Sequence, residues 1–301
     1  MPSPGRLLYL FRRDLARGLC ASYHFYRTLP KIAGRKPSSD LPLHPSGLPI
    51  HVLTGEENWL LTAWMLASFE VATGFRWTAR IHDDGTLSKA NADCLAKLFP
   101  DSEVVFRSET DAQMEELLAP YPRCLEYRQT HPLALKCFDV IHLVEHERFL
   151  LFDSDVLFFD RPQEILDWID DPSSDESWFN GDPQEPSPVL PQDAERVFGG
   201  PLWPKVNSGL CLLRKDLLDL EYMEHCLAVP ELEGADPWRL EQMLLGLCSA
   251  KIGGGGLLPS RYEVSLGRDR QPDSIARHYV GAVRHHFYRE GIAGLASFIL
   301  R

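Results

Sequence analysis

Phe149-Leu150-Leu151-Phe152-Asp153-Ser154-Asp155-Val156-Leu157-Phe158-Phe159 places two acids, one residue apart, inside an otherwise unbroken apolar run. The flanks read as strands buried on both faces. An ionised carboxylate buried without a partner costs roughly several kcal/mol even after relaxation, so the pair requires cations or hydrogen-bond donors nearby. The pattern predicts a strand that ends at Phe152, carries the acids to the open rim of a sheet and resumes at Val156. Ligands of open α/β sheets bind outside strand carboxyl ends, and a divalent cation at that rim accounts for both acids. A hairpin turn at Asp153 and Asp155 is the alternative, because aspartate favours turns. The apolar neighbours and the absence of Gly or Asn speak against it.

Upstream of this stretch, residues 50–54 read as a first strand, and residues 59–72 set Leu60, Ala63, Trp64, Ala67 and Phe69 at helical spacing. A second strand over 77–82 stops at Asp83-Asp84-Gly85. Helices follow around 89–98, 112–118 and 133–144, with a short strand at 103–106. Strand and helix in alternation imply crossover units and a mostly parallel central sheet flanked by helices, the α/β class. Downstream, the pattern predicts a helix over 163–169, a strand over 206–213, helices over 215–228 and 238–248, and strands over 257–264 and 276–280. Residues 182–204 contain prolines 183, 186, 188, 191, 201 and 204 and read as a long irregular loop, a kind that is usually functional or disordered. The run Gly253-Gly254-Gly255-Gly256 lacks the Lys-Ser/Thr of a phosphate loop and reads as a flexible connection.

The 301 residues are 44% hydrophobic and 25% charged, an ordinary globular composition. No apolar run approaches the roughly 20 residues that span a bilayer, and the opening Leu7-Leu8-Tyr9-Leu10-Phe11 is too short and too close to arginines for a secretory signal. A cytoplasmic location is expected. Seven scattered cysteines without a Cys-x-x-Cys pair indicate neither a disulfide framework nor a zinc site. Residues 1–36 hold eight Lys or Arg against the single acid Asp14, leaving 23 basic and 42 acidic residues in the rest. The body would therefore repel nucleic acid. In the basic arm, Leu8, Phe11, Leu15 and Leu19 recur at helical spacing while Arg6, Arg12, Arg13 and Arg17 lie mostly elsewhere. That pattern suits either peripheral contact with an anionic inner membrane face or a helix packed on its own domain. Residues 37–47, rich in proline and polar residues, read as a linker between the arm, 1–36, and a folded body that begins near Leu48.

The order Val52-Leu53-Thr54, Lys136, Asp153-Ser154-Asp155, Asn207-Ser208-Gly209, Glu241-Gln242 and His278-Tyr279-Val280-Gly281-Ala282-Val283-Arg284 resembles the GT-A glycosyltransferases of the glycogenin-like and lipopolysaccharide galactosyltransferase family. The resemblance covers about residues 50–288. It implies a catalytic domain of the GT-A (nucleotide-diphospho-sugar transferase) fold over residues 48–301 and transfer of a sugar from a nucleotide-diphosphate donor, a UDP-sugar, with retention. The acceptor is left open between a carbohydrate, a glycolipid and a protein. Asp153, Asp155 and His278 would bind Mn²⁺ or Mg²⁺, which prefer oxygen ligands, with the nitrogen favouring Mn²⁺ modestly. Thr54 would lie by the nucleotide base, with Glu57 and Asn58 as neighbours, and Asp84 by the ribose or sugar, where Asp83-Asp84 reads equally as a capping turn. Lys136 would point toward the donor, Asn207 and Ser208 would bond sugar hydroxyls, and Gly281 would let the backbone approach the diphosphate. Arg284 stands where the family usually has lysine, a planar fork in place of a point charge. Glu241 and Gln242 match the acid-Gln pair beside the transferred sugar. Inversion would instead need a base such as Asp236 or Glu241. His285 and His286 read as loop residues or secondary phosphate donors.

Three other readings share parts of this pattern. A haloacid-dehalogenase-like phosphatase also carries Asp-x-Asp after an apolar strand, with Asp153 as nucleophile, but there the motif opens the domain. A sugar nucleotidyltransferase would need a glycine-rich loop where this chain has Thr54-Gly55-Glu56-Glu57. A noncatalytic carbohydrate-binding protein could keep the fold and lose turnover.

Overall fold

The structure is a computed structural model and describes residues 15–300. Among the described residues ten strands form two sheets: β1 Ile50–Thr54, β2 Ala79–Asp83, β3 Glu103–Val105, β4 Arg148–Phe152, β5 Val156–Phe158, β6 Ser177–Gly181, β7 Val206–Arg214, β8 Gly255–Leu257, β9 Tyr262–Val264 and β10 Ala276–His278. The larger sheet runs β3-β2-β1-β4-β7-β6-β8. Strands β3, β2, β1 and β4 are parallel, β7 is antiparallel to β4 and β6, and β8 is parallel to β6. The smaller sheet is β5-β10-β9.

The opening stretch folds as two strands but not as a hairpin. Phe149 and Leu151 pack into the core on one face of the large sheet, and Leu150 and Phe152 into the core on the other. A strand covered on both sides needs apolar residues at every position. Asp153 donates its N–H to Gly209 O at 2.7 Å, extending the β4–β7 ladder by one bond, and the chain then crosses to the second sheet. There β5 pairs antiparallel with β10, Val156 opposite His278. The two acids therefore occupy the passage between sheets.

Several expected elements differ. Residues 257–264 are not one strand: β8 and β9 belong to different sheets. The glycine run is partly β8 itself. Gly255, at φ 94°, lies so close to Ser177 that a Cβ would stand 1.9 Å from its carbonyl oxygen. The helix expected over 133–144 is a π-helical turn, Lys136–Val140, followed by Ile141–Leu143. Residues 215–228 divide into a 3-10 turn, Lys215–Leu217, and the helix Leu220–Leu227. The helix Pro122–Thr130 and strand β6 were not expected, the first because PRCLEYRQT has no apolar stripe and the second because SWFNG is short and does not alternate.

In the basic arm, Leu8, Phe11, Arg6, Arg12 and Arg13 lie outside the described residues. The described part packs against the body: Ala21, Leu29 and Ile32 are buried in the core, the Trp64 indole donates to Leu29 O at 3.0 Å, and Arg35 pairs with buried Glu70 at 3.0 Å. The expected linker is likewise seated, with Leu43 bridging to Arg76 and the His44 ring stacked on Trp77. Among the described residues no helix is long and apolar enough to cross a membrane.

Candidate active site

The parallel strands, β7 read from its start, and β10 all present the same ends to one cavity of ≈ 730 Å³. Its wall carries Thr54 closing β1, Asp84 after β2, Asp153 and Asp155 after β4, Asn207 and Ser208 opening β7, and His278 closing β10. Lys136, Glu241, Gln242, Gly281 and Arg284 complete it. These residues, distant in sequence, thus share one surface, while Glu57, Asp83, Asp236, His285 and His286 are not on it.

The centre is a constellation of three anions and three cationic groups. Lys136, fully buried, places Nζ 2.8 Å from Asp153 Oδ1 and 3.2 Å from Glu241 Oε1. The Ser208 hydroxyl donates to Glu241 Oε2 at 2.7 Å. Arg284 donates Nε–H and Nη2–H to Asp155 Oδ2 at 2.9 and 2.6 Å. Each aspartate therefore has one oxygen held by a protein cation, and its other oxygen faces His278. Nε2 of His278 is 3.1 Å from Asp155 Oδ1 and 3.6 Å from Asp153 Oδ2.

His278 is aimed by its far side. Nδ1 lies 2.8 Å from Asn207 Oδ1, which also accepts the Gly209 N–H at 3.0 Å, while Asn207 Nδ2 donates to Asp182 at 3.1 Å. An amide oxygen can only accept, so Nδ1 carries the proton and Nε2 turns to the carboxylates. Gly209 leaves room for the ring: a Cβ there would stand 2.1 Å from Nδ1. Asn-Ser-Gly is thus a fitted seat for the histidine. Asn207, expected to bond a sugar hydroxyl, uses both amide atoms within the protein.

The electrostatics follow from these contacts. Burial pushes the Asp155 carboxyl up, but His278 and Arg284 outweigh it and hold it well below the ordinary carboxylate range. Burial opposes charging of His278, yet Asp155 and Asp153 raise it above the usual imidazole value. Burial raises Glu241 against the pull of Lys136. Lys136, opposed by burial, is raised by Asp153 and Glu241 and stays charged.

The donor set fits a divalent ion. Adjacent ligands of an octahedral ion at about 2.1 Å stand about 3 Å apart, close to the His278–Asp155 spacing of 3.1 Å. One oxygen or nitrogen from each of Asp153, Asp155 and His278 lies within 4.8 Å of the others.

The other expected residues are placed as follows. Asp83 is a turn residue, its Oδ1 accepting the N–H groups of Gly85 and Leu87 at 2.8 Å each. Asp84 faces the cavity and accepts from Thr86. Gly55 is required beside it, since a Cβ would stand 2.2 Å from the Asp84 carboxylate. Thr54 accepts from the Thr62 hydroxyl at 2.8 Å. Asn58 lines the cavity and Glu57 does not. A Cβ at Gly281 would meet no protein atom within 4 Å, so packing does not demand glycine there. His285 and His286 lie in a helical turn off the cavity wall, His286 buried. Asp236 is exposed and pairs with Arg239 at 3.8 Å. Sequence reasoning missed Asp182, Trp238 and Arg239 on the wall; none stands out by type or spacing.

No family model matches the chain, and no curated protein matches it by sequence. Among solved structures it is similar to the galactosyltransferase LgtC in complex with donor and acceptor sugar analogues, with a TM-score of 0.53 and 18% identity over 83% of this chain and 95% of that one. It is also similar to the bifunctional glycosyltransferase WbbM, with a TM-score of 0.50 and 11% identity over 86% of this chain and 52% of that one. The chain has the GT-A glycosyltransferase fold. In that topology the acids follow the fourth strand and lead into a second sheet, whereas in the phosphatase pattern they open the domain.

Proposed function

We propose that the chain is a metal-dependent glycosyltransferase that moves a sugar from a nucleotide-diphosphate donor, a UDP-sugar, to an acceptor hydroxyl with retention. The observation that carries this is the convergence of Asp153 Oδ2, Asp155 Oδ1 and His278 Nε2 at the strand ends of a GT-A sheet. Bound there, Mn²⁺ or Mg²⁺ would neutralise diphosphate oxygens and the charge that grows on departing UDP. Lys136 and Arg284 each pair with one aspartate and fix which oxygen it presents. Thr54, Asn58 and Asp84 form the wall suited to uridine and ribose, and Gln242 the floor beside the sugar.

In transfer, the acceptor oxygen bonds to the anomeric carbon as the bond from that carbon to the β-phosphate oxygen breaks. The hydroxyl proton passes to a β-phosphate oxygen, and UDP leaves. Front-face attack is supported because the acids that inversion would use are not poised as bases: Glu241 is held by Lys136 and Ser208, and Asp236 is off the cavity wall. Gln242 has no nucleophilic carboxylate to offer. The test is UDP release from a panel of UDP-sugars. Turnover is expected with Mn²⁺ or Mg²⁺, and loss in Asp155→Asn. Equal turnover in chelator, or hydrolysis of p-nitrophenyl phosphate instead, would sink the assignment; UDP binding without turnover would mark a noncatalytic binder.

The arm supports a peripheral contact with an anionic inner membrane face. Leu15, Leu19 and Tyr23 recur at four-residue spacing and are exposed, beside the exposed cations Arg27 and Lys31. Sedimentation with phosphatidylserine vesicles should fall when Leu15, Leu19 and Tyr23 are changed to Ser, and equal sedimentation would reject the contact.

A further inference from the structure

We propose that Asp182 is a positioning residue for the metal ligand His278, acting through Asn207, and that it links the cavity wall beside it to the ion. This role rests on the metal reading in the proposed function and adds a residue outside the ligand set. Asp182 directly follows β6, and Asn207 is the second residue of β7, at the far end of the connection 183–204. The Asp182 carboxylate accepts the Asn207 Nδ2–H at 3.1 Å, and Asn207 Oδ1 accepts from His278 Nδ1 at 2.8 Å. A carboxylate only accepts, so it demands the NH₂ end of the amide and turns the oxygen to the imidazole. The proton is thereby kept on Nδ1, and the Nε2 lone pair faces Asp153 and Asp155. The Gly209 N–H makes the same demand on Oδ1 at 3.0 Å, so loss of Asp182 weakens this orientation without abolishing it.

Asp182 is itself held in place by the neck of the connection. It donates its N–H to Lys205 O at 2.7 Å, and its carboxylate also accepts the Gln184 N–H at 3.1 Å. Glu185 accepts the Lys205 N–H at 2.9 Å and the Ser187 N–H at 3.1 Å. Between these bonds Lys205 adopts φ 59°, the one positive φ of a non-glycine among the described residues. Such a conformation persists only where the surroundings over-determine it. Further along, Val189, Ala194, Val197, Phe198 and Leu202 are buried in the core. Residues 182–185, which line the cavity, are instead held by polar bonds, and one of those bonds reaches Asn207.

Positioning and simple attraction make different demands on this residue. A fixed charge would draw in a cation whichever way Asn207 faced, whereas a positioning residue needs only an acceptor opposite Asn207 Nδ2. Linkage is also reciprocal: if the closed neck favours the ion, the ion favours the closed neck by the same factor. The wall segment should therefore become harder to open when the metal binds.

The test uses the full chain with Mn²⁺ alone as the probe, read by calorimetry, and a cooperative melt in chelator shows that each variant is folded. Asp182→Ala should weaken Mn²⁺ binding about tenfold, the low end of the loss when a group behind a metal-ligating histidine is removed. Asp182→Asn drops the charge but keeps one acceptor oxygen for Asn207, and should recover most of the affinity. In wild type, Mn²⁺ should slow hydrogen exchange at the Gln184 amide by up to about tenfold, the same factor seen from the other side. Wild-type affinity in Asp182→Ala would overturn the role. So would equal losses in Asp182→Ala and Asp182→Asn, which would mark a charge effect, or exchange at Gln184 unchanged by Mn²⁺. Absence of Mn²⁺ binding by wild type would defeat the metal reading, and the positioning role with it.

Discussion

Gly209 and His278 show how finely the site is fitted at the scale of single residues. With only 2.1 Å between an added Cβ and the imidazole, Gly209→Ala must displace either the ring or β7, at a cost of about 1–3 kcal/mol. Urea melts should show that loss, and calorimetry should show weakened Mn²⁺ binding. Wild-type affinity in the variant would mean that His278 is not a ligand. Protonation gives a second handle. In metal-free protein the charged imidazolium between Asp153 and Asp155 stabilises the fold, because its pKa is raised when folded. That contribution is complete below the ordinary value of about 6.5 and disappears as pH rises through the folded value. Melting temperature in chelator should therefore fall from pH 6 towards alkaline pH, and His278→Ala should lack this step. A step of equal size in the variant would place the titration elsewhere. These partnerships were only half legible in the sequence. Asp153, Asp155 and His278 are chemical types that announce a metal, but nothing in Asn207 or Arg284 tells which neighbour will take its hydrogen bonds.

At the scale of elements, the site depends on a change of sheet. Strand β4 could be read from Phe149 to Phe152 because burial on both faces leaves a continuous apolar run; β7 keeps such a run only over Leu210–Leu213, and β1 and β2 interrupt theirs with His51, Arg80 and His82. The destination of β5 could not, since Val156–Phe158 would look the same in either sheet. The outer strands were harder for a related reason. Strand β8 contributes almost no side chains, and its place is set by the close approach of Gly255 to Ser177. Gly255→Ala, which adds a Cβ at φ 94° and 1.9 Å from a carbonyl oxygen, should cost about 1–3 kcal/mol. Hydrogen exchange should then rise in β6 and β8 while β1 and β2 stay protected. Unchanged exchange in β6 would show that the β6–β8 pairing does not depend on this glycine.

Across the whole molecule, a chain of net charge −12 gathers Lys136, His278, Arg284 and Arg239 around one cavity. They face six acids on the same wall, Asp84, Asp153, Asp155, Asp182, Glu185 and Glu241, so a diphosphate would be attracted there through a bound divalent ion and not by the protein's cations alone. The α/β class and the common rim were legible because strand–helix rhythm and the order of polar residues survive in the sequence; the outer wall was not, because the loop around Asp182 and the first turn of the helix Pro237–Ile252 meet there in a way composition does not encode. In the proposed function, Asp153, Asp155 and His278 hold a divalent ion through which a nucleotide diphosphate binds. Thermal denaturation with UDP in Mn²⁺ and in chelator tests it most directly. Saturating UDP at about 100 times its Kd should stabilise the folded protein by about 2.7 kcal/mol in Mn²⁺, and hardly at all in chelator or in Asp155→Asn. Equal stabilisation by UDP with and without the ion would contradict it.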